Sequence, residues 1–212
     1  MRSLAPVLAV LILLVLITES LALGSRTLSP EEVWQGLLAY DNSVASKVVW
    51  GLRIHRTILA IVVGASLAVA GVVMQALTRN PLAEPGILGV NAGASLAVVA
   101  AIGGLGLTSV NQYLPFAFAG AAAAAVLVHM MSRRSADSGP ARLVLAGVAL
   151  GASLSSITGT ITMYNSKIFD SYRFWVVGSL ENRKLEVLLW VAPFLAVGLV
   201  LALASAHSLN AL

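Results

Sequence analysis

Runs of about twenty apolar residues, nearly free of charge, recur along this chain. A backbone in hydrocarbon can satisfy its amides and carbonyls only as a helix or a closed barrel. We read helical spans at residues 4–23, 57–77, 92–107, 114–131, 143–163 and 187–206, the third being short and able to begin nearer Ile87. Hydrophobic residues make up 58% of the 212 and charged residues 10%, against about 25% charged in a soluble domain. The fold class is therefore all-α: one polytopic transmembrane helix bundle with no separate soluble domain.

A formal charge of +4 and a pI near 9.9 would point to nucleic acid in a soluble protein. Here the basic side chains lie mostly in loops beside apolar spans, where they set topology and meet membrane lipid. The chain has no cysteine, which excludes disulfides, thiol chemistry and cysteine metal sites. Arg2 precedes the first apolar run, and Ser20, Leu21 and Ala22 resemble the small-residue end of a secretion signal. The run nonetheless continues to Leu23, long enough to span, and both readings stand.

Between the first two spans, Ser29 as N-cap, Pro30 at the first helical position and Glu31 and Glu32 in the first turn mark a helix start. Val33, Trp34, Leu37 and Leu38 follow at helical spacing, so a short amphipathic helix on the membrane surface is expected. Arg133, Arg134 and Arg142 after the fourth span argue that this loop is cytoplasmic, although the opposite loops hold more basic residues, mixed with acids.

The stretch 78–95 breaks the pattern. Pro81, Pro85, Gly86, Gly89 and Gly93 interrupt the backbone just where a span ends, and Asn80, Glu84 and Asn91 add polarity. Irregular backbone cannot face lipid, so this segment belongs at the surface, inside protein or beside a water-filled path. Gly147, Gly151, Ser155 and Gly159 recur every four residues in the fifth span, and Ala60, Gly64 and Ala68 do so in the second until Val72. Small residues at this spacing let helices pack closely in lipid. Ser153, Ser156, Thr158, Thr160 and Thr162 are expected mainly to bond back to their own helix.

Catalytic chemistry is missing from the sequence. There is no G-x-x-x-x-G-K-[ST] loop, no serine–histidine–acid cluster, and His55, His129 and His207 stand apart from any second ligand. No metal, no cofactor and no enzyme activity is expected. The spans almost lack ionisable residues, Glu19 lying near the end of its helix, so a proton-coupled mechanism has no carrier. Energy for any transport would come from a partner.

The stretch 53–94 carries Arg53, His55, Arg56, Gly64, Gly71, Gln75, Asn80, Pro81, Leu82, Glu84, Pro85, Gly86, Gly89, Asn91 and Gly93. It resembles the FecCD family, the permeases of binding-protein-dependent ABC importers for iron-siderophores, haem and cobalamin. Trp175, Gly178, Ser179 and Leu180 resemble the family's outer segment, and residues 209–212 its next landmark. The resemblance implies a multi-pass permease of the bacterial inner membrane with ten spans, of which about six are here. It implies a second permease subunit, identical or not, cytoplasmic ATPase subunits and an extracytoplasmic binding protein. Arg53 and Arg56 would dock that protein's carboxylates, as forked donors suit, the alternative being that they only anchor the second span. Asn80, Pro81 and Leu82 would narrow the inner end of the path. Trp175, Gly178 and Ser179 would form the outer gate, residues 175–180 lying in the short helix at the outer mouth. His55 stands where the family often has proline.

The resulting expectation is a single permease domain over 1–212, truncated at its C-terminal end, for ferric siderophores. The 89–95 sequence looks more like siderophore than cobalamin permeases, and haem or cobalamin is the alternative ligand. A shortened, non-transporting assembly or regulatory protein is the alternative of another class.

Overall fold

The computed structural model describes residues 4–24, 26–38, 43–133, 140–180 and 183–210. Arg2, Arg134, Ala211 and Leu212, used in the sequence reading, lie outside them. The described residues form helices and connecting turns, with no strand among them. Among the described residues, five helical stretches are long and apolar enough to cross a membrane: Leu4–Ala22, Val44–Thr78, Val110–Arg133, Ala141–Tyr164 and Glu186–Leu209. Val90–Leu105, the third expected span, is a shorter apolar helix of 16 residues. The chain is a multi-pass membrane protein.

Contacts divide the chain into two compact units, Met1–Ala65 with Leu180–Leu189, and Ser66–Ser179 with Trp190–Leu212. The first contains helices α1 (Leu4–Ala22), α2 (Pro30–Leu38) and α3 (Val44–Val48), then a π-helical turn at Val49–Arg53. Helix α4 (Ile54–Thr78) follows without a break. α1 has no buried residue, as suits a helix whose side chains are as apolar as lipid. α2 starts on a reciprocal capping box: the Ser29 amide donates to the Glu32 carboxylate at 2.8 Å, and the Glu32 amide donates to the Ser29 hydroxyl at 3.2 Å. The Ser29 amide thereby holds the Glu32 carboxyl below its usual range. Gly36 is the buried residue of α2, with the Ala45 carbonyl only 3.2 Å from where a Cβ would stand. The Trp50 indole donates to the Gly36 carbonyl at 3.0 Å.

The second unit is built on α5 (Val90–Leu105), α6 (Val110–Arg133), α7 (Pro140–Tyr164) and α8 (Ser166–Val177). The core joins Val98, Val99, Ala101 and Ile102 of α5 to Tyr113 and Ala117 of α6 and Ile168 of α8. Helix α9 (Glu186–Asn210) meets α6 through Phe194, stacked on Phe118 with ring centroids 4.1 Å apart. α5 and α6 approach so closely that side chains are excluded at their crossing. A Cβ on Gly93 would sit 2.5 Å from the Gly120 carbonyl, and one on Gly120 would overlap the Gly93 carbonyl. Lipid offers no hydrophobic drive for helix pairing, so this closeness supplies the dispersion that holds the pair. Along α7, Ser153, Thr158, Thr160 and Thr162 donate to carbonyls three or four residues earlier, as expected.

Gly120→Ala is expected to destabilise the bundle by about 1–3 kcal/mol, because both backbones must move apart. Thermal unfolding in detergent measures this. Ala122→Ser, at an exposed position of the same helix, serves as the control and should shift little.

Candidate functional site

The break after α4 is the most irregular backbone in the second unit, and its polar groups can be followed one at a time. α4 ends in a Schellman motif: the Asn80 amide reaches the Gln75 carbonyl at 3.2 Å and the Arg79 amide the Ala76 carbonyl at 3.3 Å. The closing residue is Arg79, left-handed at φ 49° without being glycine. The Thr78 hydroxyl takes the Met74 carbonyl at 2.7 Å.

Asn80 then folds the chain back. Its side-chain oxygen accepts from the Leu82 amide at 2.9 Å, and its carbonyl accepts from the Ala83 amide at 3.1 Å. Pro81 lies between, fixing φ in the turn. Ala83 is buried, while Leu82 is 85% exposed. A cavity of about 440 Å³, lined by Thr78, Asn80, Ala141, Val144 and Leu145, opens beside this turn.

A 3-10 helix, Pro85–Leu88, carries the chain into α5. Gly89 links the two at φ 69° and lies against α7. A side chain there would meet the Gly147 carbonyl at 3.1 Å and the Gly151 amide at 3.3 Å. Conversely, a Cβ on Gly147 would overlap the Ile87 carbonyl and lie 2.8 Å from the Leu88 Cα. Gly147 and Gly151 thus seat the break against α7. Ser155 is exposed, and nothing lies within 4 Å of where Gly159 would carry a Cβ. The four-residue period identified one face of α7, but two of its four positions meet the break.

The outer-segment residues fall at the end of α8. Asn165 caps this helix, accepting from the Lys167 and Ile168 amides at 3.1 and 3.2 Å. Trp175 is half-buried and stacks on Tyr172 at 6.1 Å between centroids. Residues 175–180 do not all lie in the short outer helix as expected: it occupies Ser166–Val177 and stops where Gly178 turns to φ 65°. Gly178 and Ser179 therefore follow the helix and are exposed.

Arg53 and Arg56 lie in the first unit, and Arg53 departs from its expected exposure: it is 4% exposed. Its guanidinium donates to the carbonyls of Leu21 and Ala22, the latter at 2.8 Å, and to that of Arg26. Arg56, half-buried, donates to the carbonyls of Ser20 at 2.6 Å and Leu23 at 3.0 Å. A helix leaves its last four carbonyls without intrahelical partners. In α1 these belong to Glu19, Ser20, Leu21 and Ala22. The Leu23 amide takes the first at 2.8 Å, Arg56 the second, Arg53 the third and fourth, and the Leu28 amide shares the fourth at 3.2 Å. Two positive forks at a helix C-terminus also complement its dipole. The Ser20 and Thr57 hydroxyls, 2.8 Å apart, tie α1 to α4 just beside them. No local signal marks this pairing, since the α1 carbonyls lie more than thirty residues from the arginines that take them.

Arg53→Ala is expected to cost about 1–3 kcal/mol, because it strands buried carbonyls. Arg53→Lys should recover only part of that, since a single ammonium cannot reach three carbonyls along a planar fork. Unfolding midpoints of the two variants in detergent check the order.

Comparison with known proteins places these features in one group. Over 205 residues the chain is 40% identical to the ferric enterobactin transport system permease protein FepD of Escherichia coli (strain K12), covering 95% of this chain and 61% of that one. It is 39% identical over 193 residues to the Fe(3+)-citrate import system permease protein YfmD of Bacillus subtilis (strain 168), covering 91% and 57%. The chain thus spans about three fifths of the length of these relatives. Among solved structures, an inward-facing metal-chelate type ABC transporter superposes with a TM-score of 0.76 at 26% identity, covering 95% of this chain and 61% of that one. Residues 11–212 match the FecCD transport family, and the chain belongs to it.

Proposed function

We propose that the chain forms the membrane path of an ATP-driven importer of ferric siderophores in the bacterial inner membrane. The observation that carries this reading is its 40% identity, along 95% of its length, to a ferric enterobactin permease. The scarcity of ionisable groups in the spans fits a permease driven by ATPase subunits on separate chains. A second permease subunit completes the path, and an extracytoplasmic binding protein supplies the ligand. Haem and cobalamin are the alternative cargoes.

In this reading the Asn80, Pro81 and Leu82 turn narrows the inner end of the path. Its hydrogen bonds hold Leu82 out into open space, where a single apolar side chain can close a narrow opening and withdraw with the turn. Trp175, Gly178 and Ser179 form the outer gate. Gly178, left-handed at the end of α8, lets the chain leave that helix sharply. Gly147 and Gly151 hold the break on α7, while Ser155 and Gly159 offer the same close approach to a further helix.

Docking of the binding protein was expected at both arginines. The geometry supports Arg56, which keeps an exposed edge, over Arg53, whose fork is spent on α1. A carboxylate arriving at Arg56 would compete with two neutral carbonyls for the same guanidinium, and a charged acceptor is the stronger one.

Two measurements test the reading. ATP-driven uptake into vesicles, with partner subunits and binding protein present, should be seen for a ferric siderophore. Uptake of haem or cobalamin in its place overturns the cargo assignment. Arg56→Glu should weaken binding-protein docking at least about tenfold through like-charge repulsion, while Arg56→Gln weakens it less. Unchanged docking in both variants would leave Arg56 as a helix cap alone.

A further inference from the structure

The cavity beside the Asn80 turn has no role in the reading above. Its volume is about 440 Å³, with Thr78 and Asn80 on one side and Ala141, Val144 and Leu145 of α7 on the other. The Thr78 hydroxyl is spent on the Met74 carbonyl, and the Asn80 side-chain oxygen on the Leu82 amide. A roomy site with so few free polar partners is a poor host for ordered water and suits an apolar occupant. Two residues from Asn80, the apolar side chain of Leu82 stands 85% exposed.

We infer that this cavity is the seat into which Leu82 withdraws, and that the Asn80 side chain is the catch that holds it out. The inference rests on the reading of this turn as the inner gate and supplies the second position that a gate requires. Three observations carry it. The piece that moves is short and bounded: Thr78 and Ala83 are buried, while Arg79, Asn80, Pro81 and Leu82 between them are exposed. Its pivot is strained, because Arg79 holds a left-handed φ of 49° that a residue with a side chain adopts at a cost. The Leu82 amide is held by a single bond, 2.9 Å long, to the Asn80 side chain. That side chain itself lines the cavity, so releasing Leu82 and making room for it are one movement. Laying an exposed leucine on Val144 and Leu145 removes apolar surface from water, which offsets the lost bond.

The chain's lack of cysteine makes the test direct. Leu82→Cys is introduced into the full chain in lipid nanodiscs, and its labelling by a bulky maleimide is timed. With Asn80 present the thiol should react fast. Adding Asn80→Ala, which removes the catch, should slow labelling severalfold, and adding Ala141→Trp as well, which fills the seat, should restore it. Labelling that stays fast in the Asn80→Ala background means that the turn merely loosens, and overturns the inference. Slow labelling that Ala141→Trp does not reverse overturns it equally, because Leu82 is then covered elsewhere. If Asn80→Ala fails to fold, a Leu82→Cys, Leu145→Cys pair decides with Asn80 in place. A short bis-methanethiosulfonate should bridge that pair, and Ala141→Trp should slow the bridging; an unchanged rate overturns the seat. The gate reading fails separately: ATP-driven uptake that continues with the bridge closed would keep the seat and remove the gate.

Discussion

Peptide groups that leave helical geometry inside a membrane find no water, and each one left unpaired costs several kcal/mol. This constraint shapes both units of the chain. In the first, α1 ends with four carbonyls that lack intrahelical partners, and two guanidinium groups reach back from the π-helical turn and α4 to take three of them. In the second, the stretch from Thr78 to Gly93 passes through a Schellman motif, an asparagine turn and a 3-10 helix, and the amides of Arg79, Asn80, Leu82, Ala83, Ile87 and Gly89 along it have acceptors. Irregularity is affordable in each place because a neighbour, or the segment's own side chains, supplies what the helix no longer does.

Close packing is the companion of that hydrogen bonding. Between lipid-bathed helices, dispersion over short distances replaces the hydrophobic effect. The Gly93 and Gly120 pair brings α5 against α6, and Gly147 admits the carbonyl of Ile87 to the surface of α7. The same glycines that make the bundle tight therefore make the break possible. A permease needs both properties at once: rigid helices to define a path, and an irregular turn at its end that can shift without exposing unpaired groups. In the proposed path the Asn80 turn, with Leu82 exposed beside a buried Ala83, is that element.

Much of the helical plan was legible in the sequence. Hydropathy placed the spans to within a few residues of α1, α4, α5, α6, α7 and α9, because length and apolarity alone determine a membrane helix. Ser29, Pro30 and the following acids marked the start of α2, since capping is a local event. What the sequence concealed was long-range. Arg53 read as an exposed docking residue because nothing near it in sequence names the carbonyls of Leu21 and Ala22. The stripe on α7 announced a face but not its partner, so Ser155 and Gly159 could not be told apart from Gly147. The Gly93 and Gly120 contact was detectable in principle, as Gly93 with Ala97 and Gly120 with Ala124 repeat the four-residue spacing. The end of α8 at Gly178 needed backbone geometry, because a glycine three residues beyond a tryptophan fits a helix interior and a helix end alike.

The claim on which the account rests is that the break at 85–89 is seated on α7 through the absent side chain of Gly147. Hydrogen exchange of the Gly86 to Gly89 amides in lipid nanodiscs, compared between the native chain and Gly147→Ala, tests it most directly. The account predicts protected amides in the native chain and a marked loss of protection in the variant, confined to this segment and the adjoining turn of α5. Equal protection in both proteins would contradict it.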